Sequence, residues 1–221
     1  MGERRLDAVL KSFPHSDQVE ISYRCFELDP DAERDVDYNY YDKLAMKYGM
    51  SREQAIAASN NTKRQAEMVG LEFNYDTMVL TNTFDAHRLT LLAAKHGKML
   101  EISERLFRAF FTESRHIGDH KTLVQLAVEV GLDPAESAAV LESDAFAGDV
   151  RADEQEAMDL GVTGVPFFVI NRKYAISGAQ RSEVFLDALQ RAWQEEQPLT
   201  ILGGDGEICD ENGCRIPDKK E

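Results

Sequence analysis

Two cysteines, Cys209 and Cys214, are separated by the four residues Asp210, Glu211, Asn212 and Gly213. A turn at Asn212-Gly213 can fold such a pair together, and a disulfide is feasible once the two Cα atoms come within about 7 Å. Asp210 and Glu211 beside the thiols raise their pKa by like-charge repulsion, which argues against a strong attacking nucleophile. Three readings therefore stay open: a reversible redox or resolving pair, a structural tail pair, and a metal site. For the last, two thiols fall short of the four ligands a tetrahedral zinc centre takes. The remaining thiol, Cys25, lies in an alternating apolar stretch and reads as a small buried hydrophobe.

The second feature is Gly161-Val162-Thr163-Gly164-Val165-Pro166-Phe167-Phe168-Val169-Ile170. Proline removes a ladder donor, so it is tolerated at a strand's first residue, and the cost is worth bearing where the carbonyl before it faces a ligand. Val165 and Pro166 are thus the first place to look for substrate docking, against the plainer alternative of a proline that merely starts a strand. His116 and His120 have helical i, i+4 spacing, but no Glu in an H-E-x-x-H arrangement or third ligand supports catalytic zinc, so no metal and no cofactor is expected. No G-x-G-x-x-G, phosphate loop or G-x-S-x-G is present, which removes nucleotide binding and serine hydrolysis.

The elements that must position these residues follow from periodicity. Leu6, Val9, Leu10 and Phe13 mark an opening helix, and alternation from Val19 to Leu28, closed by Asp29-Pro30, predicts a strand over 18–28. Residues 38–160 change character. Ser51 with Gln54 is a capping box for a helix through about Met68, and Asn82 with Asp85 can cap a second that stops near Gly97. Ile102, Leu106, Phe107 and Phe110 mark a third, and Leu123, Leu126, Ala127 and Val130 a fourth ending at Gly131. Asp133-Pro134 opens a fifth through Leu141, and a sixth runs from Asp149 to Leu160. Tyr38, Tyr40 and Tyr41 can line a groove or pack as a cluster. Phe167–Ile170 and Tyr174–Ile176 then form a hairpin about a turn at 171–173, and Val184, Phe185, Leu186, Leu189 and Trp193 put one face of a closing helix against it.

With 25 basic against 40 acidic residues, the chain carries a formal charge of −15. That balance repels nucleic acid and anionic membranes. No apolar run approaches the roughly 20 residues that span a bilayer, and the amino end lacks a hydrophobic signal core, so the expected setting is cytoplasmic.

Helix, strand, helical block, proline-led hairpin and closing helix make an α/β sheet interrupted by helices. The chain resembles the DsbA-like thioredoxin-fold oxidoreductases, in particular their FrnE-like subgroup. The resemblance rests on Gly2-Glu3-Arg4-Arg5-Leu6, Tyr23-Arg24-Cys25-Phe26-Glu27-Leu28-Asp29-Pro30, Asn82-Thr83-Phe84-Asp85-Ala86-His87-Arg88-Leu89, Phe111-Thr112-Glu113, Gly161 to Phe168, and Ser177-Gly178-Ala179-Gln180. It implies a thioredoxin-like domain over 1–37 and 161–197, a helical insertion over 38–160, and a tail over 198–221 with the CxxxxC pair. It further implies a cis Val165-Pro166 bond at the substrate loop with Thr163 and Gly164 beside it, and a groove wall from Asn82, Phe84, His87 and Arg88. For those four, the reading from the residues themselves is a capped helix with a partly buried histidine and a surface arginine.

Members of that family begin with a strand leading into Cys-Pro-Trp-Cys just before the segment matched by Gly2–Arg5. The expectation is therefore that this strand and thiol pair would lie before Met1, through a mischosen start or truncation, and that the 221 residues alone are impaired. The implied function is thiol-disulfide exchange with a protein, peptide or glutathione. One alternative is a glutathione-dependent isomerase or transferase, similar to the 2-hydroxychromene-2-carboxylate isomerase and kappa-class enzymes. A non-catalytic peptide-binding protein is the other.

Overall fold

The computed structural model describes residues 1–196, 208–210 and 213–215. The first helix, α1 (Gly2–Leu10), is followed by a 3-10 turn at Ser16–Gln18 and an irregular run to Asn39. Seven helices come next: α2 (Tyr40–Tyr48), α3 (Arg52–Glu67), α4 (Phe84–Lys95), α5 (Met99–Phe111), α6 (His120–Glu129), α7 (Pro134–Leu141) and α8 (Ala147–Asp159). The hairpin β1 (Phe167–Ile170) and β2 (Tyr174–Ser177) and the helix α9 (Ser182–Glu196) follow, and a second hairpin pairs β3 (Ile208–Asp210) with β4 (Gly213–Arg215).

The hairpin positions one core. Side chains alternate across a strand, so Phe168 and Ile170 of β1 face the same way as Ile176, which stands opposite Phe168. Against them pack Val9 and Phe13 at the end of α1 and Phe185, Ala188 and Leu189 of α9. Phe185 is fully buried, with its ring edge-on to Phe168 at 4.8 Å; burial of such a side chain contributes about 1.5–3 kcal/mol. Val169 points the other way and is 42% exposed. Asn171 and Arg172 both have positive φ, and Lys173 N–H donates to the Ile170 carbonyl at 3.0 Å, closing the turn in the twist that suits a hairpin.

A second core lies within the helical block, where Leu89, Leu92, Ile102, Leu123 and Leu126 are wholly buried. The caps that hold its ends are local. Ser51 and Gln54 make both halves of a capping box, and Asp119 and Asp133 accept the N–H groups of Thr122 and Glu136, each cap worth about 1 kcal/mol. The second helix of the sequence reading starts one step later than Asn82: Thr83 is the N-cap of α4, and the Asn82 side chain accepts the Phe84 N–H at 2.8 Å. The helix α2 was not anticipated. Its Tyr40 and Tyr41 pack as a cluster, with Tyr40 stacked on Tyr75 at 4.4 Å and Tyr41 donating to Asp76.

Residues 18–28 do not form the expected strand. A strand exists through its ladder, and among the described residues the sheet beside it is only two-stranded. Side chains take the backbone of Cys25, Phe26 and Glu27 instead. Cys25 N–H donates to Asp153 at 2.9 Å and Glu27 N–H to Glu154 at 3.2 Å, both carboxylates of α8, while His87 hydrogen-bonds the backbone of Phe26. Cys25 is 2% exposed. Burial, followed by the Asp153 carboxylate, pushes its thiol well above the usual range, so it is an inert packing residue.

Replacing Asp153 by Ala orphans the buried Cys25 N–H and is expected to cost about 1–3 kcal/mol. Chemical denaturation measures that loss, and a thiol reagent should modify Cys25 faster in the variant than in the parent, where it reacts only on unfolding.

Candidate functional site

The loop before β1 is exposed at Thr163, Val165 and Pro166, with Val165 48% accessible. The Val165–Pro166 peptide bond is cis. The loop is tethered at its far end, where the Pro166 carbonyl accepts the Gly178 N–H at 2.8 Å. Gly178 has φ +80, a conformation that glycine adopts without steric cost.

The start of α1 lies directly on this loop. Gly2 is buried, and a Cβ placed on it would sit 3.0 Å from both Pro166 Cγ and Phe168 Cζ. The next three residues reach in other directions. Glu3 accepts the Tyr23 hydroxyl at 2.6 Å. Arg4 pairs with Glu104 of α5. Arg5 donates to the carbonyls of Ala179 and Gln180, next to the glycine that holds Pro166. Burial, then the Glu3 hydrogen bond, pushes the Tyr23 hydroxyl pKa upward, so it stays a donor. Four consecutive residues thus fix the first turn of α1 to the proline loop, the irregular segment, the helical block and the exit of β2. The unpaired N–H groups of a helix's first turn favour negative charge, and this turn presents them beside an exposed backbone segment.

Asn82, Phe84, His87 and Arg88 have different partners. Asn82 donates from its backbone to the Glu33 carbonyl at 3.1 Å and from its side chain to Pro30. Phe84 lies under the Arg151 guanidinium at 4.3 Å. His87 holds Phe26, and burial lowers its pKa. Arg88 is 4% exposed and is no surface arginine. Its Nε donates to Ala145 at 2.8 Å, its Nη1 to Asp85 at 2.7 Å and its Nη2 to the carbonyls of Val140 and Ser143. Arg88 therefore caps the end of α7, and every one of its nitrogens is engaged within the protein. The sequence carried no sign of this, because the carbonyls it caps lie more than fifty residues away.

Burial alone would raise Asp85, but hydrogen bonds from His120 and Arg88 outweigh it and hold its carboxyl below the usual range. His120 and His116 are partners of Asp85 and Asp35, respectively. No three His, Cys, Asp or Glu side chains among the described residues converge as a metal site, and no helix among them is long and apolar enough to cross a membrane.

In the tail hairpin Cys209 stands opposite Cys214. Directly opposed residues of an antiparallel pair have Cα atoms about 4.5–5.5 Å apart, inside the range a disulfide spans. The four-residue spacing singles out the two cysteines that this register sets opposite each other; no spacing points to Glu3, Arg4, Arg5 or Tyr23, whose partners are remote in the chain.

Residues 1–190 match the family model described as a DSBA-like thioredoxin domain. A crystal structure of a probable DsbA oxidoreductase from Streptomyces coelicolor is 44% identical, covers 98% of this chain and 93% of that one, and superposes with a TM-score of 0.85. The 2-hydroxychromene-2-carboxylate isomerase shares the fold, with a TM-score of 0.61 at 14% identity over 88% of this chain and 89% of that one. The uncharacterised protein YwbO of Bacillus subtilis is 34% identical over 126 residues, 56% of this chain. The match spans 62% of that relative's length.

Replacing Gly2 by Val forces a branched side chain between Pro166 and Phe168, and overpacking of this kind costs about 1–3 kcal/mol; a thermal melt should show the loss. His87 gives a pH signature. Its folded pKa lies below its unfolded value near 6.5, so the unfolded chain binds the proton first. Its contribution is complete above about pH 6.5 and is lost as pH falls toward the folded pKa. Denaturant titrations from neutral to mildly acidic pH should show that decline, and His87→Gln should flatten it.

Proposed function

Since this chain belongs to the DSBA-like thioredoxin domain family, we propose that it serves thiol-disulfide exchange of the FrnE-like kind in the cytoplasm, on protein, peptide or glutathione disulfides. The observation that carries the reading is the exposed Val165-Pro166 loop held against the first turn of α1. An extended substrate lies along the Val165 backbone in the manner of an added strand, with Thr163 and Gly164 flanking it. Its disulfide is then delivered to the turn whose N–H groups stabilise a thiolate. In the exchange, a thiolate attacks one substrate sulfur and the other leaves as a thiolate. A second thiol then displaces the substrate from the mixed disulfide, leaving the substrate reduced and the two exchanging thiols joined in a disulfide.

Cys25 takes no part, being buried and protonated. Cys209 and Cys214 are partners in the register of β3 and β4 and serve as a reversible secondary pair. Neither sits at a helix start, so the 221 residues are expected to reduce insulin only weakly. Strong insulin reduction by the untagged chain that survives Cys209→Ser would overturn that expectation.

Two further outcomes follow. Alkylation of the native protein should label Cys209 and Cys214 only after reductant is added; equal labelling without it counts against the pair. An extended cystine-containing peptide should bind, and Val165→Asp should weaken it by at least about tenfold, measured by calorimetry with the melting temperature unchanged.

A further inference from the structure

The hairpin of α2 and α3 stands out from the rest of the surface. The three most exposed large apolar side chains among the described residues are Met68 at 84%, Met46 at 73% and Tyr48 at 61%, and all belong to this hairpin or its immediate end. Between the two helices runs an open groove of about 230 Å³, walled by Tyr40, Leu44 and Tyr48 of α2 and by Ala58, Ser59 and Thr62 of α3. Its polar side chains are turned inward. The Ser59 hydroxyl donates to the Ala55 carbonyl at 2.7 Å and Thr62 to Ala58 at 3.3 Å, so the groove offers mainly carbon to an occupant.

Charge narrows the choice of occupant. Residues 38–70 hold Lys43, Lys47, Arg52, Lys63 and Arg64 against Asp42, Glu53 and Glu67, a net positive island in a chain of charge −15. Lys43 and Arg52 are paired with Asp29 and Asp42; Lys47, Lys63 and Arg64 make no ion pair among the described residues. Immediately before α2 comes the opposite sign. Asp29, Asp31, Glu33, Asp35 and Asp37 alternate along one loop against a single Arg34, and four of them line an open cleft of about 440 Å³ with Tyr38 and Lys43. Hydrogen bonds from Asn82 to Pro30 and Glu33, and from Thr81 to the Arg34 carbonyl, hold that loop to the helical block.

A two-fold interface needs a patch that contains its own complement. The acidic cleft and the apolar groove adjoin along α2, and Lys47 of that helix and Lys63 and Arg64 of α3 are cations without an ion pair among the described residues, three against the two unpaired carboxylates Glu53 and Glu67. We propose that this surface pairs two copies of the chain about a two-fold axis, the acidic loop of each reaching Lys47, Lys63 and Arg64 of the other and the exposed Met46 and Tyr48 buried between them. Methionine suits such a seam because its unbranched side chain adapts to the partner's shape.

Sedimentation velocity of the full chain tests this at about 100 μM protein, where a micromolar Kd is saturated, in about 50 mM and 500 mM salt, which differ several-fold in screening length. A dimer at low salt that weakens at high salt is expected, and Tyr48→Asp should weaken it at least tenfold with an unchanged circular dichroism spectrum. The paired reversals Lys63→Glu with Arg64→Glu, and Asp31→Lys with Asp37→Lys, should each give monomers. Mixing the two reversed chains should restore a heterodimer, which no loss of folding can mimic. A monomeric parent, a dimer indifferent to every substitution, or a monomer whose groove takes an acidic peptide instead would each overturn the proposal.

Discussion

The constraint from which the exposed loop takes its setting is the close approach of Gly2 to Pro166 and Phe168. The first turn of α1 lies on Pro166 and Phe168 with no Cβ between them, where one on Gly2 would meet both side chains at 3.0 Å, and that approach brings the helix start to an accessible backbone segment. The contacts of Glu3, Arg4 and Arg5 are arranged around it. Each adds little individually, since a partly exposed ion pair contributes about 0–1 kcal/mol and a hydrogen bond about 0.5–1.5 kcal/mol. Their value is geometric: three directions of restraint leave the helix no free rotation or slide relative to the proline.

The helical block does more than interrupt the chain. Its α8 carboxylates receive the N–H groups of Cys25 and Glu27, so an irregular segment is held in place without a ladder. Its α4 supplies His87 to Phe26 and Arg88 to the exit of α7, and its α5 anchors Arg4. Of the side chains that resemble a groove wall by sequence, Asn82 and His87 join the block to the segment beneath it, while Phe84 and Arg88 find their partners within the block. The outward face of the same block, at α2 and α3, has no such duty.

What the residues disclosed follows the range of the forces involved. Helix starts at Ser51, Asp119 and Asp133 are legible because a cap and its acceptor lie within three residues. The hairpin at 167–177 is legible because alternation and its turn are local. The run 18–28 has strand-like alternation but no ladder, and pairing is a property of the neighbour, not of the run. The helix α2 escaped notice because three tyrosines crowd its start and its cap, Asn39, sits among them. Arg88 and Arg5 bind carbonyls far along the chain, and no spacing rule reaches that far.

Three thiols in one chain invite mispairing, because each could capture either of the others. Sealing Cys25 beneath α8, with its N–H and sulfur both turned inward, removes it from that competition. A bridge from Cys25 to either of the other thiols therefore requires unfolding first.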